Sequence, residues 1–200
     1  MSSNLPTLTA AEALSRLLEG NRRFAGAKTL HPHQDATRRS EVLAGQNPFA
    51  VILTCSDSRV PPEILFDQGI GDLFVIRTAG NVVDKVGLGS IEYAVAHLGV
   101  RLVVVLGHQH CGAVKAACAG GEAEGHIASI VKIIQTSVEK ARESEAVEDL
   151  PAAVVDLNAR HVADRLRENE PVLQPLAAAG QVSIIAARYD LDTGNVVLLD

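Results

Sequence analysis

Three short runs that are apolar from end to end constrain this chain most: Phe49-Ala-Val-Ile-Leu-Thr54, Leu73-Phe-Val-Ile76 and Leu102-Val-Val-Val-Leu106. A strand with one wet face alternates apolar and polar residues, whereas an unbroken apolar run suits a strand covered on both faces. Between and beyond these runs the period changes to that of a helix. Residues 88–98 read as a helix ended by Gly99, 111–119 as one stopped by Gly120-Gly121, and helical patterns follow over 127–142 and 152–169. Residues 182–186 read as a fourth strand, and Asp192-Thr-Gly194-Asn turns the chain into a short terminal strand over 196–199. Strands alternating with helices predict an α/β fold with a central, mostly parallel β-sheet flanked by helices. The last strand is expected at the edge, antiparallel.

At the N-terminus, Thr9-Ala-Ala-Glu12 is a capping-box pattern. Behind it Ala13, Leu14, Leu17, Leu18 and Phe24 share one helical face. Residues 31–36 are polar and broken by Pro32. The chain thus reads as one domain over 1–200, with residues 1–45 a helical arm expected to pack on a partner subunit.

Composition removes several function classes. The 18 basic and 24 acidic residues leave a net charge of −6, against the basic footprint of a nucleic-acid binder. Aromatic residues are 3% and Trp is absent, so no base-stacking platform is available. The apolar runs are far shorter than the roughly twenty residues of a spanning helix, and the first twenty residues do not read as a secretory signal. Three cysteines make no disulfide framework. Reduced thiols in the cytoplasm are expected, where such residues are more often catalytic or metal-bound.

The chemistry gathers at two strand ends. The first strand runs into Cys55-Ser-Asp57-Ser-Arg59 and the third into Gly107-His108-Gln-His110-Cys111. In open α/β sheets functional groups collect beyond the carboxyl ends of strands. Cys55, His108 and Cys111 are three soft or borderline ligands that suit zinc, and three protein ligands leave a position for water. Cys118 cannot readily complete the set: seven residues past Cys111, it lies about 10 Å along the same helix. Zinc in such a site brings water toward ionisation at neutral pH. Arg59 can clamp Asp57 bidentately, leaving Asp57 to accept a hydrogen bond from the zinc-bound hydroxide. Were Arg59 to let go, Asp57 could swing onto the metal as a built-in off state.

These motifs, with Gly80-Asn81, Glu92-Tyr93-Ala94-Val95 and the Gly112 that follows Cys111, resemble the β-class carbonic anhydrases over most of the chain. The resemblance implies an α/β enzyme with one Zn2+ per subunit, a homodimer or homotetramer, interconverting carbon dioxide with bicarbonate and a proton. By position Cys55, His108 and Cys111 match its zinc ligands, and Asp57 and Arg59 its catalytic dyad. Gln46, Phe74 and Tyr93 match its carbon dioxide pocket, formed partly from the neighbouring subunit. Ala79 stands where a larger aliphatic residue is common, and the Gly112 N–H is expected to face substrate oxygen. Some bacterial members carry a tryptophan three residues before the first zinc cysteine, in an inhibitory bicarbonate site. Ile52 stands there in this chain, which implies that the site is missing.

Other readings compete. A thiol-nucleophile enzyme would place Cys and Arg six apart before a helix N-terminus; here they are four apart and Pro61-Pro62 follows. A non-catalytic zinc protein would use Asp57 as a permanent fourth ligand, which leaves Arg59 without a purpose. Hydrolysis of carbon disulfide or carbonyl sulfide would use the same zinc site. His110, beside two ligands, is a candidate proton shuttle, because imidazole is the side chain suited to exchanging protons near neutrality.

Overall fold

Phe49 to Leu106 folds around its apolar runs. In the computed structural model, which describes residues 8–143 and 147–199, these runs are adjacent strands. They are β1 (Ala50–Cys55), β2 (Leu73–Thr78) and β3 (Leu102–His108). With β4 (Ser183–Tyr189) and β5 (Val196–Leu198) they form a sheet in the order β2-β1-β3-β4-β5. β1 pairs in parallel with β2 and β3, β3 in parallel with β4, and only β4 and β5 are antiparallel. The chain leaves β1 toward β2 on one side and returns as β3 on the other, so a crevice opens beyond the ends of β1 and β3.

Pleating sends successive residues to opposite faces, and both faces are covered. Val51, Leu53, Val103, Val105, Ile184 and Ala186 pack against Ile91 and Val95 of α4 (Lys85–Leu98) and Val162 and Leu166 of α7 (Leu150–Arg167). Ala50, Ile52, Leu102, Val104 and Leu106 pack on the other side, against Ala13 and Leu17 of α1 (Ala10–Ala25) and Leu65 of α3 (Pro62–Leu65). A third cluster sits at the carboxyl end of the sheet. There Cys55 and Cys111 are walled by Val114 of α5 (Gly112–Ala119), Ile134 and Val138 of α6 (Ile127–Arg142) and Val154 of α7.

The expected elements are present with shifted ends. β3 runs on through Gly107 and His108, and β4 extends to Tyr189 because its last residues are paired on both sides, with β3 and with β5. Phe49 precedes β1 and donates its N–H to the Asp72 carbonyl at 2.9 Å. α7 begins at Leu150 because Asp149 caps it, accepting from the Ala152 N–H at 3.1 Å. Helices α2 (Ala36–Glu41), α3 and α8 (Leu173–Ala178), and a 3-10 turn over Ala79–Asn81, escape the sequence pattern because each is too short to show a 3.6-residue period. The expected capping box at Thr9 and Glu12 is formed in both directions. Among the described residues no helix is long and apolar enough to cross a membrane. Residues 1–7 of the expected arm, and Asp200, lie outside the described residues.

α1 is tied to its own chain by a buried Asn21. Its Nδ2 donates to the carbonyls of Leu65 and Gly194, and its Oδ1 accepts from the Val196 N–H. α2, further along the arm, buries no residue. Where α1 crosses the end of α3, a Cβ on Gly20 would stand 1.8 Å from the Phe66 carbonyl oxygen. Gly20→Ala is therefore expected to lower the urea midpoint. Overpacking against backbone costs about 1–3 kcal/mol, more than the ~1 kcal/mol that alanine gains inside a helix. An unchanged midpoint would contradict this close approach.

Candidate metal centre

Strand register assembles the site. Cys55 and His108 are the last residues of β1 and β3, and the pairing of Thr54 with Leu106 sets Cys55 level with Gly107. Beyond His108 the chain turns through His110, at φ 55°, and Cys111 becomes the N-cap of α5. One ligand atom each from Cys55, His108 and Cys111 lies within 4.8 Å of the others, and all three residues are buried. The sulfurs are 4.0 Å apart. Among the described residues no further His, Cys, Asp or Glu joins the group. Cys118 lies outside it, half-buried further along α5.

The histidine is prepared to accept rather than donate. A carbonyl can only accept, so the 2.8 Å contact of His108 Nδ1 with the Gln109 carbonyl places the ring proton on Nδ1. That leaves a lone pair on Nε2, which is buried without a partner. Such an atom costs about 1–3 kcal/mol if nothing meets it. Without a cation, the Cys111 sulfur beside it holds the Cys55 thiol well below its ordinary range, and the backbone N–H groups of Gly80 and Asp57 add to the effect. The same contact pushes Cys111 up, so the pair shares one proton. Two sulfurs and a bare imidazole nitrogen around one point fit a zinc ion.

Beside this cage, Arg59 holds Asp57. Its Nε and Nη2 reach the two carboxylate oxygens at 3.0 and 2.7 Å, and its own N–H reaches Oδ1 at 2.9 Å. That grip keeps the Asp57 carboxyl far below the usual carboxylate range. Asp57 Oδ2 is 3.9 Å from His108 Nε2, too far for a hydrogen bond but within reach of anything held between them.

Several supporting residues were not singled out by sequence. Arg77 on β2 donates to the carbonyls of Cys55 at 3.0 Å and Asp57 at 2.6 Å, fastening the loop that carries the dyad. The Gly80 N–H donates to Cys55 Sγ at 3.2 Å, and Asn158 of α7 donates to the Gly80 carbonyl at 2.9 Å. Gly80 and its neighbour Asn81 belong to a motif quoted above, but no spacing signal points to Arg77 or Asn158.

The expected pocket residues divide. Ala79 immediately precedes Gly80, and Gly112 opens α5 just after Cys111, so each is a chain neighbour of a residue of the cage or its support. Phe74 pairs with Val51, whereas Cys55 pairs with Thr78. Phe74 is thus four residues down the sheet, roughly 13 Å at about 3.3 Å per residue. Tyr93 is beside it, ring centroids 6.4 Å apart, and Gln46 lines a surface cleft with Tyr93, Val42 and Leu98. None of the three ligand residues lines that cleft. His110 lines a different one of about 490 Å3, with Cys111, Lys115, Asp149 and Arg188.

A family model described as carbonic anhydrase matches residues 50–196. The chain is 42% identical over 203 residues to carbonic anhydrase 2 of Mycobacterium tuberculosis, covering 98% of this chain and 96% of that protein. The chain belongs to the β-carbonic anhydrase family. To the carbonic anhydrase of Mycolicibacterium smegmatis it is 40% identical, over 97% of this chain and 95% of that one. Among solved structures, the β-carbonic anhydrase of Coccomyxa in complex with acetazolamide superposes with a TM-score of 0.74 at 31% identity, covering 93% of this chain and 86% of that one. A tetrameric β-carbonic anhydrase of Sordaria macrospora gives 0.75 at 27% identity, covering 93% and 96%.

Within this β-carbonic anhydrase frame, Arg59→Gln is expected to let the Asp57 carboxyl titrate back toward its ordinary value near 3.9. Any stability that depends on ionised Asp57 is present above that ordinary value and lost as pH falls through the depressed folded one. NMR titration of the Asp57 carboxyl carbon in both proteins reads the shift, and an unmoved midpoint would remove Arg59 as its cause.

Proposed function

We propose that this chain catalyses the reversible hydration of carbon dioxide to bicarbonate and a proton, with one Zn2+ held by Cys55, His108 and Cys111. The observation that carries the reading is the combination of three buried ligand atoms with an Asp57 that Arg59 keeps ionised and outside the ligand set. When bound, zinc would supply the Lewis acidity that brings water toward ionisation near pH 7. Asp57 accepts a hydrogen bond from the attacking water and aims its lone pair at the carbon. Arg59 performs two tasks: it lowers the proton affinity of Asp57 and occupies the oxygens that could otherwise close onto the cation. A permanent structural site would leave that clamp without a purpose, which disfavours the non-catalytic reading. Gly112, exposed at the first position of α5, offers an unpaired N–H to a product oxygen. The released proton leaves through the neighbouring cleft, where His110 can relay it to buffer.

The separation of Phe74, Tyr93 and Gln46 from this chain's own cage favours a homo-oligomer in which they complete the partner's site. The tetrameric assembly named for the Sordaria macrospora relatives supports it. The three unpaired thiols support a cytoplasmic setting.

Purified protein is expected to hold about one zinc per chain and to hydrate carbon dioxide in stopped flow. Cys111→Ser should lose the metal, whereas Asp57→Ala should keep it and lose about 10²–10⁴ of kcat/KM. Metal-free, inactive wild-type protein would refute the reading. The shared pocket has its own check. Cys111→Ser and Gln46→Ala chains, each defective alone, should regain about a quarter of wild-type activity once subunits exchange, since half the dimers then carry one intact site. Activity that stays at the average of the two variants would put Gln46 in its own chain's site.

A further inference from the structure

A buried amide on α7 reaches the metal centre through one glycine. Asn158 is fully buried, with its Nδ2 on the Gly80 carbonyl at 2.9 Å and its Oδ1 without a partner. Gly80 in turn directs its N–H at Cys55 Sγ, 3.2 Å away. Gly80 sits at φ 71°, in the left-handed region, with Asn81 following at φ 46°. A glycine has the softest dihedrals in the chain, so nothing intrinsic keeps its N–H on the sulfur. Packing restrains it on one side, where an added Cβ would come within 2.8 Å of Ile134 Cδ1 and 3.0 Å of Ala113 Cβ. On the other side Thr78 Oγ1 donates to the Val82 carbonyl and closes the turn. The Gly80–Asn81 peptide itself is held by Asn158.

We propose that Asn158 is a positioning residue of the metal centre: by holding the Gly80 carbonyl it keeps the Gly80 N–H on Cys55 Sγ, and so sets how strongly that sulfur donates to a bound cation. Groups that hydrogen-bond to a metal's ligands orient them and tune the metal, and losing one typically costs 10–100-fold in affinity or activity. An N–H on a thiolate draws electron density from it. With that N–H gone Cys55 Sγ loses the group that orients it and draws on its electron density, so a bound cation would be less well held and would face a more electron-rich sulfur. Asn158 is 78 residues from Gly80 in sequence, and its one side-chain hydrogen bond goes to Gly80 rather than to a ligand. This rests on the proposed zinc site, and on nothing further about the substrate.

Asn158→Leu tests it, because leucine reproduces the branched outline of asparagine while removing the donor and the orphaned Oδ1 together. Asn158→Ala is the second variant should leucine not be accommodated, and Val162→Ala, buried one turn along α7, is the packing control. Two readouts are taken: zinc affinity by chelator competition, and the sulfur-to-cobalt charge-transfer band of Co2+-loaded protein. Either Asn158 variant, its Cys55 no longer oriented, should bind zinc about tenfold more weakly and move the band to lower energy. Val162→Ala should lose stability and shift neither of them. Asn158 variants with wild-type affinity and band would overturn the proposal, even if less stable. A wild-type protein that binds no metal would instead overturn the zinc reading beneath it.

Discussion

The whole arrangement depends on one register. β1 and β3 lie side by side in parallel, offset so that Thr54 meets Leu106. Both strands therefore end at the same edge of the sheet, and their final residues, Cys55 and His108, meet although 53 positions separate them in the chain. A slip of one residue would turn Cys55 to the opposite face. Such a slip is prevented by burial, because Val51 and Leu53 on one face and Ala50 and Ile52 on the other are all enclosed. The hydrophobic core is in this sense the clamp that sets ligand geometry.

Around the ligands the protein spends its polar groups on orientation. The Gln109 carbonyl selects the His108 tautomer, Gly80 and Asp57 turn backbone N–H groups toward Cys55 Sγ, and Arg77 fastens the loop between. Arg59 does for Asp57 what the Gln109 carbonyl does for His108, deciding which atoms are free to act. The resulting site concentrates negative charge from sulfur next to an ionised carboxylate. That combination is unfavourable without a cation, and it explains why the cage and the dyad belong to one device.

The fold also separates what one chain can do alone. The cage lies at the carboxyl edge of the sheet, whereas Phe74, Tyr93 and the Gln46 segment lie several residues down it. Under the proposed function, the apolar surface for a small linear molecule and the candidate metal cage thus lie at different places on the same subunit. In the proposed homo-oligomer two copies facing each other would bring them together, and the exposed Leu43 at the end of the arm, with the half-exposed Tyr93, gives such a contact apolar material.

Much of this was legible without coordinates. The three apolar runs declared buried parallel strands, because only a strand covered on both faces has no use for polar alternation. The two clusters at their ends declared candidate metal ligands, because a Cys with an Asp and Arg close behind it, and a His three residues from a second Cys, have little use elsewhere. The short helices α2, α3 and α8 were not legible, since a 3.6-residue period needs more than one turn to show itself. Nor were Arg77 and Asn158, whose roles exist only through contacts with backbone atoms that carry no sequence signature. The amino-acid order by itself determined which residues could ligate, and on which strands they ride, because hydrophobic periodicity and ligand chemistry are local properties. Tertiary structure alone decided that Gly80 serves Cys55, that Asn158 serves Gly80, and that the expected pocket lies out of reach of its own cage, because strand register and helix packing join positions the linear chain leaves unrelated.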